Sequence, residues 1–147
     1  RYSSISHLQG GGYLASKSSA NYVFLNESGD ETNTFSVNFA SLMSIIQTSD
    51  GGFLCYGTNS FSNIIIQKYS SSNVLEWGVP GGTSYINNFI RLVETADGNY
   101  VYLTDIDVNF GTTNIRIRKL SSVDGSTLYT SDYGNINYTD HSGGLLH

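Results

Sequence analysis

The chain is poor in several residue types, and each shortage excludes something. It has one cysteine, Cys55, in 147 residues, so no intrachain disulfide can form and cysteine says nothing about redox compartment. It has one proline, Pro80, and four alanines, and few strong helix formers. Charged residues are only 13% of the chain, with seven Lys and Arg against twelve Asp and Glu, a net charge of −5. Nucleic acid is therefore not an expected partner, because the only basic cluster is Arg116, Arg118 and Lys119. No apolar run reaches the roughly 20 residues of a membrane-spanning helix. No secretory leader is visible, and a first residue of Arg1 reads as a processed product or a piece of a longer chain. Gly-x-Ser-x-Gly, His-Glu-x-x-His and phosphate-loop motifs are all missing, and the acids scatter over turns, so no enzyme is expected.

What fills the chain instead is Ser, Asn and Thr, 48 residues together, with 11 Tyr and 7 Phe. Tyr, Phe, Ile, Val and Thr suit a pleated, half-buried surface, and Asn, Ser and Gly suit turns. The composition is that of an all-β protein.

A repeat organises it. The stretch SIIQTSDGGFLCYG from Ser44 returns as RLVETADGNYVYLT from Arg91, with Phe53 and Tyr100 as counterparts 47 residues apart. Between them, strand-like runs over Ser44–Thr48 and Phe53–Thr58 flank Ser49-Asp50-Gly51-Gly52, a hairpin signal. Ile64–Tyr69 gives a third strand. Val74–Val79 gives a fourth, which Pro80-Gly81-Gly82 is expected to stop. An earlier copy pairs Tyr13 with Phe53 at 40 residues, and a later fragment pairs Leu145 with Tyr100 at 45. In the third copy, Asp105–Thr113 reads as a polar connector. Ile115 and Ile117 alternate with Arg116 and Arg118, which predicts a buried isoleucine face and a solvated arginine face. Four short strands repeating every 40–50 residues is the spacing of propeller blades.

Ile66-Gln67-Lys68, Trp77, Gly81-Gly82, Asp97-Gly98 and Tyr100 resemble the repeats of the bacterial-type β-propeller family, with Asn73 where that pattern has a turn glycine. The resemblance implies β-propeller-like tandem four-stranded antiparallel blades, three blades plus a truncated fourth. The copies are placed at about 4–43, 44–90, 91–134 and, as a start only, 135–147. Such repeats have no single activity and are common in secreted and cell-surface proteins. Three blades cannot close a ring, so the partners expected are further blades of the same chain or other copies of it. On that reading Leu8, Tyr13 and Val23 at one end, and Ile115, Ile117 and Leu120 at the other, are left as outward apolar faces.

Candidate sites are few. Asp105, Asp107 and Asn109, followed by Gly111, alternate oxygen side chains as a calcium loop does, but Arg116 stands where a twelfth-position acid belongs. A plain inter-strand loop is the preferred reading, with calcium the alternative and no other cofactor expected. Asn26-Glu27-Ser28 and Asn137-Tyr138-Thr139 are N-glycosylation sequons, making Asn26 and Asn137 the glycan candidates. His7, His141 and His147 lack the convergent spacing of metal ligands. Trp77, Tyr69 and Phe53 read as core between blades rather than a sugar platform.

The function expected is a non-enzymatic extracellular or cell-surface structural and interaction module, self-assembling through its blades. A carbohydrate-binding propeller is the alternative, and a secreted polysaccharide-active hydrolase the third reading. A lectin should repeat one polar-aromatic loop per blade, and the loops Ser16–Ala20, Gly57–Ser62 and Asp105–Thr113 are unalike.

Overall fold

The computed structural model describes residues 5–17, 21–61, 63–83, 91–109 and 112–134. Every regular element among them is a strand, and the chain divides into two compact units, Arg1–Gly81 and Gly82–His147.

The first unit begins with β1 (Ile5–His7), β2 (Tyr13–Ser16), β3 (Asn21–Leu25) and β4 (Glu31–Ser36), antiparallel neighbours in chain order. It continues with β5 (Ser41–Gln47), β6 (Phe53–Thr58), β7 (Asn63–Tyr69) and β8 (Leu75–Thr83), a second meander whose last strand runs across the unit boundary. The second unit holds β9 (Arg91–Glu94), β10 (Tyr100–Asn109), β11 (Thr112–Leu120) and β12 (Thr127–Tyr133), a third four-stranded antiparallel sheet.

The repeat seen in sequence is a repeat of turn geometry. In the first hairpin of each sheet, the first turn residue donates its N–H to the carbonyl of the fifth, as in Leu8 to Gly12, Thr48 to Gly52 and Thr95 to Asn99. The fourth residue donates back to the first, and it is always a glycine with positive φ: Gly11 at 90°, Gly51 at 80° and Gly98 at 76°. This is a type I turn closed by a left-handed residue, where a side chain would be strained. The hairpin between third and fourth strands repeats the device at Asn26–Asp30 and Ser70–Val74, with Asn73 at φ 63° in the left-handed position. In the third sheet that turn, Ser121–Ser126, is one residue longer.

The residue closing the first turn sets a close approach. A Cβ on Gly52 would collide with the Tyr69 carbonyl oxygen and the Lys68 ammonium, and one on Gly12 with the Leu25 carbonyl. The third sheet has Asn99 there, and its Oδ1 accepts a hydrogen bond at 3.1 Å from the Ser122 N–H of the longer turn. Gly52→Ala should therefore cost about 1–3 kcal/mol in urea unfolding. Gly10→Ala, with nothing within 4 Å of the added carbon, should change stability by less than about 0.5 kcal/mol.

The core of the first unit lies between its two sheets. Leu14, Tyr22 and Phe35 from the first sheet meet Ile45, Phe53, Cys55 and Tyr69 from the second, with Phe24 packed alongside. Phe35 is central, with its ring centroid 5.2 Å from both Phe53 and Tyr69, while Phe24 meets Phe53 edge-on at 5.5 Å. A polar contact crosses the same seam: the Gln9 N–H donates to Gln47 Oε1 at 2.7 Å. The second sheet is buried on its other face as well, at Leu54, Tyr56, Ile64 and Ile66.

Four expectations are corrected. Strand β8 runs on through Pro80 to Thr83 instead of stopping. It is the outer strand of its sheet, the place in a sheet where proline is tolerated. The stretch expected as a connector is mostly strand: Asp105 pairs with Ile115 and Asp107 with Thr113, because the β-branched and polar residues there continue the ladder. In β11 the more deeply buried side is the arginine side: Asn114 and Leu120 share it with Tyr100 and Tyr102, while Ile115 and Ile117 are half-buried. Arg118 is accommodated there by lying 5.6 Å over the Tyr102 ring. Finally, Leu8 joins the core between the first two sheets, and Val23 and Leu120 are buried rather than outward-facing.

Candidate functional site

Among the described residues of the first unit, a dense polar arrangement is built around Lys68. Its position follows from the hairpin register: Phe53 pairs with Tyr69 and Leu54 with Lys68, so Lys68 is the penultimate residue of β7, beside the β5–β6 turn. Its side chain is 1% exposed. The ammonium donates to Asp50 Oδ2 at 2.8 Å, to Glu76 Oε2 at 3.0 Å and to the Tyr69 carbonyl at 3.2 Å, using all three protons. Asp50 in turn accepts from the Thr48 hydroxyl at 2.5 Å and the Gly52 N–H at 2.9 Å. Burial would raise the Asp50 carboxyl, but hydrogen bonds from Lys68, Thr48 and Gly52 and the charge of Lys68 bring it down to about 2.

The third sheet repeats the arrangement in the open. Val101 pairs with Lys119, the register equivalent of Lys68, and the Lys119 ammonium donates to Asp97 Oδ2 at 2.6 Å. The Thr95 hydroxyl donates to Asp97 Oδ1 at 2.6 Å. The hydrogen bond from Lys119, with those from Thr95 and Asn99, holds Asp97 well below the usual carboxylate range.

In the first sheet every member is replaced. Leu14 pairs with Phe24, which takes the lysine position, while Leu8 and Gly10 take those of the threonine and aspartate. An ion pair locks two hairpins, and an apolar pair locks the third.

A carboxyl whose folded pKa is depressed stabilises the fold above its unfolded pKa of 3.8 and stops doing so as pH falls toward 2. The melting temperature should therefore fall between pH 4 and pH 2. Lys68→Met should flatten the part of that fall owed to Asp50, and a Lys68→Met profile as steep as the parent's would exclude this origin.

The first unit also carries a cleft of about 370 Å³ at its turn end, lined by Leu8, Phe24 and Leu25 with Asn26, Thr32, Asn33, Ser71 and Asn73 around them. The floor is apolar and the rim is amide and hydroxyl, with no charged lining residue.

Asn26 sits on this rim, exposed, in the turn between β3 and β4. Its Oδ1 accepts the Asp30 N–H at 2.9 Å, and its Nδ2 donates to Asp30 Oδ2 at 3.2 Å, which leaves one amide proton. Asn137, His141 and His147 lie outside the described residues. The backbone of Asp105, Asp107 and Asn109 belongs to β10, and their side chains lie outside the described ones. His7 stands edge-on to Tyr13 at 5.5 Å between ring centroids. Phe53 and Tyr69 are core as expected, and Trp77 is buried on β8. Among the described residues no group of three His, Cys, Asp or Glu could hold a metal ion, and no helix is long and apolar enough to cross a membrane. Cys55 is wholly buried, and burial pushes its thiol pKa up, so it is a poor nucleophile.

Sequence reasoning missed the Lys68 cluster and the cleft. The threonine and aspartate of each turn and the lysine on the third strand were visible as a repeated set, Thr48, Asp50, Lys68 and Thr95, Asp97, Lys119. Glu76 and the cleft had no such signal. Neither a scan of protein-family models nor a search of curated proteins finds a match to this chain.

Proposed function

We propose that this chain is a non-enzymatic structural and interaction module of β-propeller blades, working outside the cell or at its surface. The observation that carries the reading is the second sheet. It is buried on both faces, one of them against the first sheet through interlocking aromatic rings. A sheet with two buried faces suits side-by-side stacking, as in the blades of a propeller or an extended array. The polar clusters of the described residues act within the fold: Lys68 and Lys119 fasten hairpins, and their carboxylates are engaged. Exposed Ser, Asn and Thr and the Asn26 sequon suit an extracellular setting.

The partners are further blades of the same chain or other copies of it. Static light scattering over a concentration series is the test. The average mass should rise with concentration, and a 16.0 kDa monomer throughout would overturn interaction through self-association.

The cleft favours one other reading, a carbohydrate-binding module, because one aromatic ring, Phe24, beside two leucines and neutral amide and hydroxyl groups suits the apolar and hydroxyl faces of a sugar. Amide NMR titration with cellotriose and chitotriose decides between them. Saturable shifts confined to Phe24, Asn33, Ser71 and Asn73 would establish the sugar-binding reading, and unshifted spectra would remove it.

A further inference from the structure

Among the described residues, the third sheet ends in a strand with no neighbour on its outer side. Strand β12, with the sequence TLYTSDY, pairs with β11 and lies at the end of its sheet's strand order. It is exposed along nearly its whole length, and Leu128, Tyr129 and Tyr133 are each more than half exposed. An open edge presents a row of backbone donors and acceptors, which proteins ordinarily blunt with proline, lysine or a bulge. The outer strand of the second sheet contains Pro80, and that of the first opens on Glu31, which pairs with Lys17 at 2.7 Å. Strand β12 has neither proline nor lysine, and its one irregularity, a register shift that skips Leu128, lies at its start, ahead of the stretch 129–133. Its one charge, Asp132, is neutralised by Arg116 through two hydrogen bonds of 2.6 and 2.7 Å.

We infer that β12 is a homotypic docking edge, pairing antiparallel with β12 of a second copy about a two-fold axis at Ser131. The strand is self-complementary in that register. Tyr129, Ser131 and Tyr133 occupy one face. With Ser131 opposite Ser131, Tyr129 of each copy stands opposite Tyr133 of the other, giving two aromatic cross-strand pairs. Thr130 stands opposite Asp132, so no like charges meet, and each Asp132 approaches already paired to Arg116. The contact continues the β11–β12 ladder and joins two four-stranded sheets into one of eight. A closed two-fold contact of this kind stops at the dimer. A seven-residue edge is small against the ~1,200 Å² at the low end of stable interfaces, so the dimer forms with Kd on the order of 0.1 mM.

This inference rests on the proposed function only in taking self-association as the mode of interaction, and two measurements separate their failures. Sedimentation velocity of the full chain from 5 µM to 1 mM should show a monomer–dimer equilibrium. Tyr129→Lys with Tyr133→Lys should weaken it at least about tenfold, since like charges then oppose each other across the axis. Both side chains are exposed, and an unchanged far-ultraviolet spectrum confirms that the variant folds. Mild oxidation of Ser131→Cys should give a covalent dimer, while Thr34→Cys on β4 should not; buried Cys55 does not compete. If the chain associates but neither change matters, the β12 edge is wrong and association runs through another surface. A strict monomer at 1 mM overturns both.

Discussion

Asp50→Asn combined with Glu76→Gln should destabilise the first unit by about 2–3 kcal/mol, whereas Lys68→Met should cost less than about 1 kcal/mol. The asymmetry comes from where the charges sit. The Lys68 ammonium is buried, and its two carboxylates are half open to water. Removing both negative charges leaves a buried cation facing neutral amides, and a fully buried pair broken that way costs about 3–5 kcal/mol. Water reaching the exposed side of the site lowers that figure. Removing the lysine charge while keeping an unbranched stem leaves two carboxylates that solvent can hydrate. Urea unfolding at pH 7 decides the matter. Equal costs for the two changes would mean that Lys68 contributes mainly by packing. In the third sheet, Asp97→Asn should show a smaller loss that shrinks with added salt, because the Lys119–Asp97 pair is open on both sides.

Phe35→Ala should cost about 3–5 kcal/mol, the range for emptying a fully buried aromatic position. Phe35 has no exposed surface, and it touches Phe53 and Tyr69 across the seam between the first two sheets. Both neighbours are pinned: Phe53 by Phe24 on its other side, and Tyr69 by the hydrogen bond from its hydroxyl to Gln67 Oε1 at 2.9 Å. Neither can swing in to fill the gap. Phe35→Leu, which keeps most of the volume, should cost markedly less. If Phe35→Ala unfolded within about 1 kcal/mol of the parent, the two sheets would not share a cooperative core.

The strands and turns were legible because each repeat writes them the same way. Asp50-Gly51 and Asp97-Gly98 mark one hairpin, and the Asn73 substitution could be read from the left-handed conformation asparagine tolerates. Strand ends were less legible where two local rules conflicted. Pro80-Gly81-Gly82 reads as a stop in any single stretch of chain, and only its place at the edge of a sheet lets the strand continue. The Ile–Arg alternation in β11 gave the right period and the wrong inside. Periodicity separates two faces without saying which is covered, and arginine can lie on an aromatic ring. Of the candidate chemistry, the turn aspartates were read as turn-formers, which they are. Their lysine partners stand 18 and 22 residues further on, across a hairpin, and only register brings them together. The cleft was not legible at all, because its lining is drawn from three turns and strands that share no motif.

The exchange of an ion pair for an apolar pair in the first sheet limits how the repeats can be recombined. Leu8, Gly10 and Phe24 form one matched set, and Thr48, Asp50 and Lys68 another, although each set is split between a loop and a strand. Grafting the 8–12 loop alone onto the second sheet would take Asp50 from the buried Lys68 and leave it Glu76 as its one carboxylate. Grafting the 48–52 loop alone onto the first would set a carboxylate against phenylalanine. The smallest piece that can be transplanted without loss is the whole hairpin with its third strand. An engineer building longer arrays from these units should cut between sheets, at 37–40 or 84–90, and never inside one.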